Sequence, residues 1–131
     1  MRINRGREAD AASEARSDWF TGTVWADPVL ADAPGVSVTD VFFTPGARTR
    51  WHRHVQGQVL LVTHGRGCAQ TRSGSVSPLT SGDVVFFEPG EEHWHGAAGE
   101  TYLLHRAISL GETEWLEEVA EDDYRAAASG G

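Results

Sequence analysis

Short runs of β-branched and aromatic residues, each closed by a glycine or proline turn signal, recur along most of the 131-residue chain. Val36–Phe43 (VSVTDVFF), Gln58–Thr63 (QVLLVT), Asp83–Phe87 (DVVFF) and Tyr102–Ser109 (YLLHRAIS) have the length and make-up of strands. Pro34-Gly35, Pro45-Gly46, Gly65-Arg66-Gly67, Ser73-Gly74, Ser81-Gly82 and Pro89-Gly90 punctuate them. That rhythm predicts an all-β fold, an antiparallel sandwich or barrel. In Gln58–Thr63, Leu60 and Val62 point one way and Val59 and Leu61 the other, so both faces of this strand are apolar. A monomer would leave one of them wet, and a homodimer, or a homotetramer built from dimers, is the expectation.

The pattern changes at both ends. Residues 1–17 are polar and read as a flexible N-terminal arm, anchored where Trp19 and Phe20 begin a folded domain spanning 18–125. After Gly111, GETEWLEEVAEDDYRAA carries acidic residues early, Arg125 late, and apolar Trp115, Leu116 and Val119. It predicts a short amphipathic terminal helix, followed by a disordered tail over 126–131.

Composition narrows the function. A formal net charge of −8 lacks the basic footprint that nucleic acid or an anionic membrane requires, which leaves a small-molecule substrate as the expected partner. The single cysteine, Cys68, excludes an intrachain disulfide and a CxxC site and reads as a small buried hydrophobe. With no long apolar run, a cytoplasmic setting is expected. All 11 basic residues are arginine, which removes Schiff-base chemistry on a lysine of this chain.

The six histidines (52, 54, 64, 93, 95 and 105) all lie in the strand-rich middle of the chain. His52 and His54, two apart on a strand, project from one face. Gly57 allows a tight turn, and Gln58 opens the next strand. His93, after the Pro89-Gly90 turn, is placed to close the set from a neighbouring strand. Three imidazoles and one amide oxygen suit a divalent first-row ion, and because all four are neutral the ion keeps its full charge as a Lewis acid. His95, two beyond His93, is expected to face inward beside the site. His64 precedes a turn and is expected to be exposed. Trp94 and Tyr102 are read as packing residues.

The spacing carries more than the histidines alone. Gly46, five residues, His52, one residue, His54, three residues, Gln58, six residues and Gly65 follow one another, and later Gly82 and Pro89-Gly90 precede His93. This resembles the two sequence motifs of the cupin superfamily, small double-stranded β-helix or jelly-roll barrels that hold a metal through three histidines and a glutamate. Gln58 stands at the glutamate position, Pro89 falls one place late, and Ala97 replaces the closing asparagine.

Glutamine at that position is similar to a narrower family, the bacterial manganese-dependent cupin hydroxynitrile lyases, which cleave and form cyanohydrins. DWFTGTVW (18–25), PGARTRWHRHVQGQ (45–58), LVTHGRGCAQ (61–70), GDVVFFEPGEEHWHGAA (82–98) and EWLEEVAEDDYR (114–125) carry the resemblance, which spans nearly the whole chain. It implies His52, His54, Gln58 and His93 as ligands of a divalent metal, manganese by that likeness, with Fe2+, Ni2+ and Zn2+ as alternatives. It also implies His105 as the catalytic base. Thr39 and Val41 share one strand face and His105 and Ser109 another; with His95 these form the expected substrate pocket. A metal-dependent cupin dioxygenase or isomerase, or a cupin that only binds a small ligand, would use the same histidines.

Overall fold

A computed structural model describes residues 1–7 and 10–129. Among them twelve strands and one helix form, in the order β1 (Glu14–Arg16), β2 (Phe20–Thr21), β3 (Val24–Leu30), β4 (Val36–Phe43), β5 (Arg48–Thr49), β6 (His52–His54), β7 (Gln58–Thr71), β8 (Val76–Thr80), β9 (Val84–Phe87), β10 (His93–Ala97), β11 (Leu103–Leu110), β12 (Thr113–Trp115) and α1 (Glu121–Ser129). Eight strands are hydrogen-bonded in the order β1-β3-β4-β11-β7-β10-β5-β2, every pair antiparallel. They roll into a nearly closed jelly-roll barrel.

The long β7 makes the roll. Its first half pairs with β11 and β9, and its second half, from Arg66 on, pairs with β10 and β8, so one strand serves both sheets. Leu60 and Val62 lie in the core with Val41, Phe43, Phe87 and Leu103, whereas Val59 and Leu61 on the opposite face are only half-buried. The period-2 alternation therefore separates barrel interior from exterior. Burying an interior Leu or Phe contributes about 1.5–3 kcal/mol, which makes this row the main anchor of register.

Strand β10 (HWHGA) breaks that alternation, since all five of its residues are buried. The reason lies outside the barrel. Trp94 belongs to a second core with Trp51, Cys68, Val119, Tyr124 and Ala127, so α1 covers the outer side of β10. The Tyr124 hydroxyl donates to the Ala97 carbonyl at 2.7 Å. Buried Arg48 donates to the Val119 carbonyl at 3.1 Å and to Glu121 at 3.0 Å, and its guanidinium sits 4.4 Å from the centre of the Tyr124 ring. Glu121, Asp122 and Asp123 in the first turn complement the helix dipole.

The strand over 36–43 matches its sequence expectation residue for residue; that over 58–63 runs on to Thr71, and the other two shift by one residue at their ends. The C-terminal segment differs more. Thr113–Trp115, expected in the helix, is instead β12, paired with His52–His54, and the helix begins only at Glu121. Pairing with the otherwise bare edge of β6 outweighs the local helical pattern. Residues 126–129, assigned to a disordered tail, are helical with Ala127 buried; residues 130 and 131 lie outside the described residues. Part of the N-terminal arm is also ordered: Glu14–Arg16 pairs with Val24–Ala26 of β3.

Candidate metal centre

His52 and His54 project from one face of β6, and Gly57 turns the chain into β7, where Gln58 is the first residue. Gly57 adopts φ 97°, and a Cβ there would meet the Phe87 carbonyl oxygen at 2.8 Å, so the turn needs glycine on two counts. His93 at the start of β10 is the direct cross-strand partner of His52. The four side chains expected to converge are all buried. Imidazole centroids lie 4.3 Å apart for His52–His93, 5.1 Å for His52–His54 and 5.8 Å for His54–His93.

The hydrogen bonds set which nitrogens are free. Nδ1 of His52 meets the Arg50 carbonyl oxygen at 2.9 Å, and Nδ1 of His93 meets that of Glu91 at 2.8 Å. A carbonyl only accepts, so each ring donates from Nδ1 and keeps a bare Nε2. His93 Nε2 then faces Gln58 Oε1 at 3.1 Å, two lone-pair atoms turned toward one another. His54 Nδ1 lies 2.9 Å from the Thr113 hydroxyl, and its buried Nε2 has no hydrogen-bond partner among the described residues. In this arrangement facing acceptors and an orphaned ring nitrogen are costly in a buried site, and a cation that takes their lone pairs relieves that cost. The donor set fits a divalent ion.

His95 is drawn in as well. A ring nitrogen from each of His52, His93 and His95 lies within 4.8 Å of the others, a His-His-His cluster suited to coordination. His95 Nδ1 is 3.0 Å from His105 Nε2, while His95 Nε2 and His105 Nδ1 have no partner among the described residues. Each neutral ring carries one proton. When His105 donates across the contact its own Nδ1 is bare, and when His95 donates its Nε2 is bare, so the pair always presents one basic nitrogen.

Burial keeps these rings uncharged. It lowers His93 to about 3, opposed by the Glu91 hydrogen bond, and His54 to about 4, opposed by the nearby Gln58 amide. His105, wholly buried, is lowered to about 4, with its own backbone and then Asp40 opposing. His52 and His95 fall well below 6.5, chiefly by burial and next through the imidazoles of His93 and His105 respectively. Neutral imidazole is the state a metal requires.

A cavity of about 490 Å³ opens onto this cluster. Thr39, Val41, His52, His54, Gln58, His95, His105 and Ser109 are on its wall; His93 is not, and its ring stacks on Phe87 with centroids 3.5 Å apart. His64 lies apart from the site and is exposed. Cys68 is buried in the second core, its thiol pushed up to about 11 by burial. Trp94 is fully buried, whereas Tyr102 is an exposed residue stacked on Phe42.

Sequence reasoning missed Thr49, Thr113 and Trp115. Thr49 is buried on the cavity wall, where its hydroxyl accepts from the His95 backbone N–H at 3.3 Å. Trp115 lines the cavity, stacks on Trp19 at 5.6 Å and lies 4.7 Å from the His52 ring. The Thr-Glu-Trp alternation was the available signal, since Thr113 and Trp115 face the site while Glu114 pairs outside with Arg53.

The cupin domain family matches residues 40–105. The chain is 46% identical over 123 residues to the (R)-mandelonitrile lyase of Granulicella tundricola, covering 89% of this chain and 94% of that protein. Among solved structures it is similar to a cupin-like protein from Thermotoga maritima, with 42% identity, TM-score 0.87, and 95% of this chain and 99% of that one covered. A predicted oxalate decarboxylase from the same organism shares the fold at 22% identity and TM-score 0.73, over 82% of this chain and 98% of that one.

Proposed function

The chain belongs to the cupin family, and from that premise we propose that it is a metal-dependent hydroxynitrile lyase, cleaving and forming cyanohydrins. The observation that carries the reading is the 46% identity with a mandelonitrile lyase over 89% of the chain, together with a buried neutral donor set beside a cavity of substrate size. His52, His54, Gln58 and His93 are the proposed ligands. Bound there, a divalent ion supplies Lewis acidity undiminished by any anionic ligand, making a nearby hydroxyl easier to deprotonate. Manganese is the proposed ion.

The chain's own residues do the rest. His105, paired with His95, takes the hydroxyl proton of the cyanohydrin. The C–CN bond then breaks, its electron pair leaving with cyanide as the carbonyl forms, and the proton passes from the histidine pair to cyanide. Val41, Phe43, Trp19, Phe20 and Trp115 on the cavity wall offer an apolar lining for the organic substituent, and Thr39 stands among the polar groups of the same wall.

Assembly and setting follow from other features. The outer face of β4, β11, β7 and β9 carries Val38, Ile108, Val59 and Leu61 beside Val84, 68% exposed, and Phe86, 52% exposed. A homodimer would cover that patch. No helix among the described residues is long and apolar enough to cross a membrane; the lone buried cysteine supports a cytoplasmic setting.

Cyanide release from mandelonitrile by protein of measured metal content tests the reading. Turnover that scales with bound metal is expected. A fully loaded protein inert toward aryl and alkyl cyanohydrins overturns it; oxygen uptake in its place would indicate a dioxygenase, and ligand retention without turnover a binding cupin.

A further inference from the structure

The four proposed ligands are held by two different means. His52 and His93 are fixed by the main chain, each donating Nδ1–H to the carbonyl two residues before it, Arg50 and Glu91. Those acceptors cannot donate, so Nε2 is bare whether or not an ion is present. His54 and Gln58 have no such constraint. Each is oriented by a side-chain hydroxyl: Thr113 Oγ1 is 2.9 Å from His54 Nδ1, and Gln58 Nε2 donates to Ser109 Oγ at 3.0 Å. In both cases the hydroxyl residue is the direct cross-strand partner of the ligand, Thr113 opposite His54 and Ser109 opposite Gln58.

A hydroxyl both donates and accepts, so each contact admits two arrangements. In one, Thr113 accepts Nδ1–H of His54 and Ser109 accepts the Gln58 amide, leaving His54 Nε2 and Gln58 Oε1 bare. In the other, Thr113 donates to His54 Nδ1, which moves the ring proton to Nε2. The Gln58 amide likewise turns over, taking the Ser109 proton on Oε1 and donating to the bare Nε2 of His93. The second arrangement pairs Gln58 with His93, leaves the His54 Nε2–H without a partner among the described residues, and closes three ligand atoms. We propose that Ser109 and Thr113 are positioning residues for the metal centre, accepting from Gln58 and His54 to hold open the ligand arrangement.

Removing either hydroxyl tilts the choice. In Thr113→Val the His54 Nδ1–H loses that acceptor, so the ring is no longer held in the Nδ1–H form and the Nε2–H form that cannot ligate gains population. In Ser109→Ala the amide loses its acceptor and favours donation to His93 Nε2. Partners of this kind typically change metal affinity by about 10- to 100-fold. The inference rests on the ligand set proposed above, and its test separates the two.

The experiment is titration of metal-free full-length protein with manganese(II), read by the free-ion electron paramagnetic resonance signal. Wild-type protein is expected to take up close to one ion per chain. Thr113→Val and Ser109→Ala are expected to bind roughly 10- to 100-fold more weakly, while Thr113→Ser and Ser109→Thr, which keep a hydroxyl, stay near wild type. Long-range 15N–1H spectra of the metal-free proteins should show His54 gaining Nε2–H character in Thr113→Val. A wild type that takes up no manganese overturns the ligand set, and the inference with it. Wild-type uptake with unchanged affinity in both hydroxyl-less variants overturns the inference alone. So does affinity lost equally in the hydroxyl-keeping pair, which would mark a packing role. If Thr113→Val fails to fold, the Ser109 pair decides the matter.

Discussion

Among single residues, His93 and His105 make the sharpest contrast, because both are fully buried imidazoles yet only one faces the Gln58 oxygen. His93→Ala removes a bare Nε2 and should reduce bound metal from near one ion per chain to a small fraction, measured by elemental analysis; retained metal would exclude His93 from the site. His105→Ala should keep its metal and lower cyanohydrin cleavage by roughly 100-fold or more, the usual scale for a positioned base. If His105 were only a packed core residue, the variant would instead lose thermal stability and keep its activity per folded chain. The spacing from Gly46 to Gly65 made His52, His54 and Gln58 legible as a set. It could not show that His52 and His93 draw their Nδ1 partners from carbonyls two residues earlier, since that depends on where the backbone bends.

At the level of elements, the turn between β6 and β7 and the docking of α1 hold the site from two sides. Gly57→Ala forces a left-handed φ on a residue with a Cβ and drives that atom against the Phe87 carbonyl. A loss of more than about 1 kcal/mol in a denaturant melt is expected. Tyr124→Ala should cost about 3–5 kcal/mol, because the ring packs in the second core against Trp94 and beneath Arg48. That variant should also weaken metal binding, since Trp94 lies between the two β10 histidines. Strand positions were readable because β-branched runs and glycine turns act locally. The C-terminal segment was misread because Trp115, Leu116 and Val119 fit a helical stripe equally well, and only the edge of β6 decides that Thr113–Trp115 is a strand.

Across the whole molecule, the buried imidazoles couple stability to pH. Their folded values lie below the ordinary 6.5, with His54 and His105 near 4 and His93 near 3, because burial opposes the charged form. Above about pH 6.5 neither the folded nor the unfolded chain protonates these rings and the stability is complete. As pH falls below that, the unfolded chain binds protons that the folded chain refuses, so stability drops through the window from 6.5 toward 4. Each ring contributes up to about 1.4 kcal/mol per pH unit there. Thermal midpoints of chelated protein between pH 7.5 and 4.5 should fall steeply below 6.5; a flat profile would mean the rings titrate freely in the fold. For the apolar outer sheet, light scattering should give a dimer, and Phe86→Glu should shift it toward monomer without disturbing metal content.

By itself the sequence determined the all-β architecture, the places where the chain turns, and the donor types at positions 52, 54, 58 and 93. These depend on period-2 patterning, on glycine's backbone freedom and on the chemistry of each side chain, all of which are properties of a residue and its near neighbours. Only the tertiary structure decided that Thr113 and Ser109 stand opposite His54 and Gln58, that His95 meets His105 across ten residues of chain, and that Trp115 turns into the cavity rather than onto a helix. Cross-strand register joins residues far apart in sequence and is set by the barrel as a whole, where the burial of Leu60, Val62, Phe43 and Leu103 on one face leaves a single alignment in which every interior position is filled.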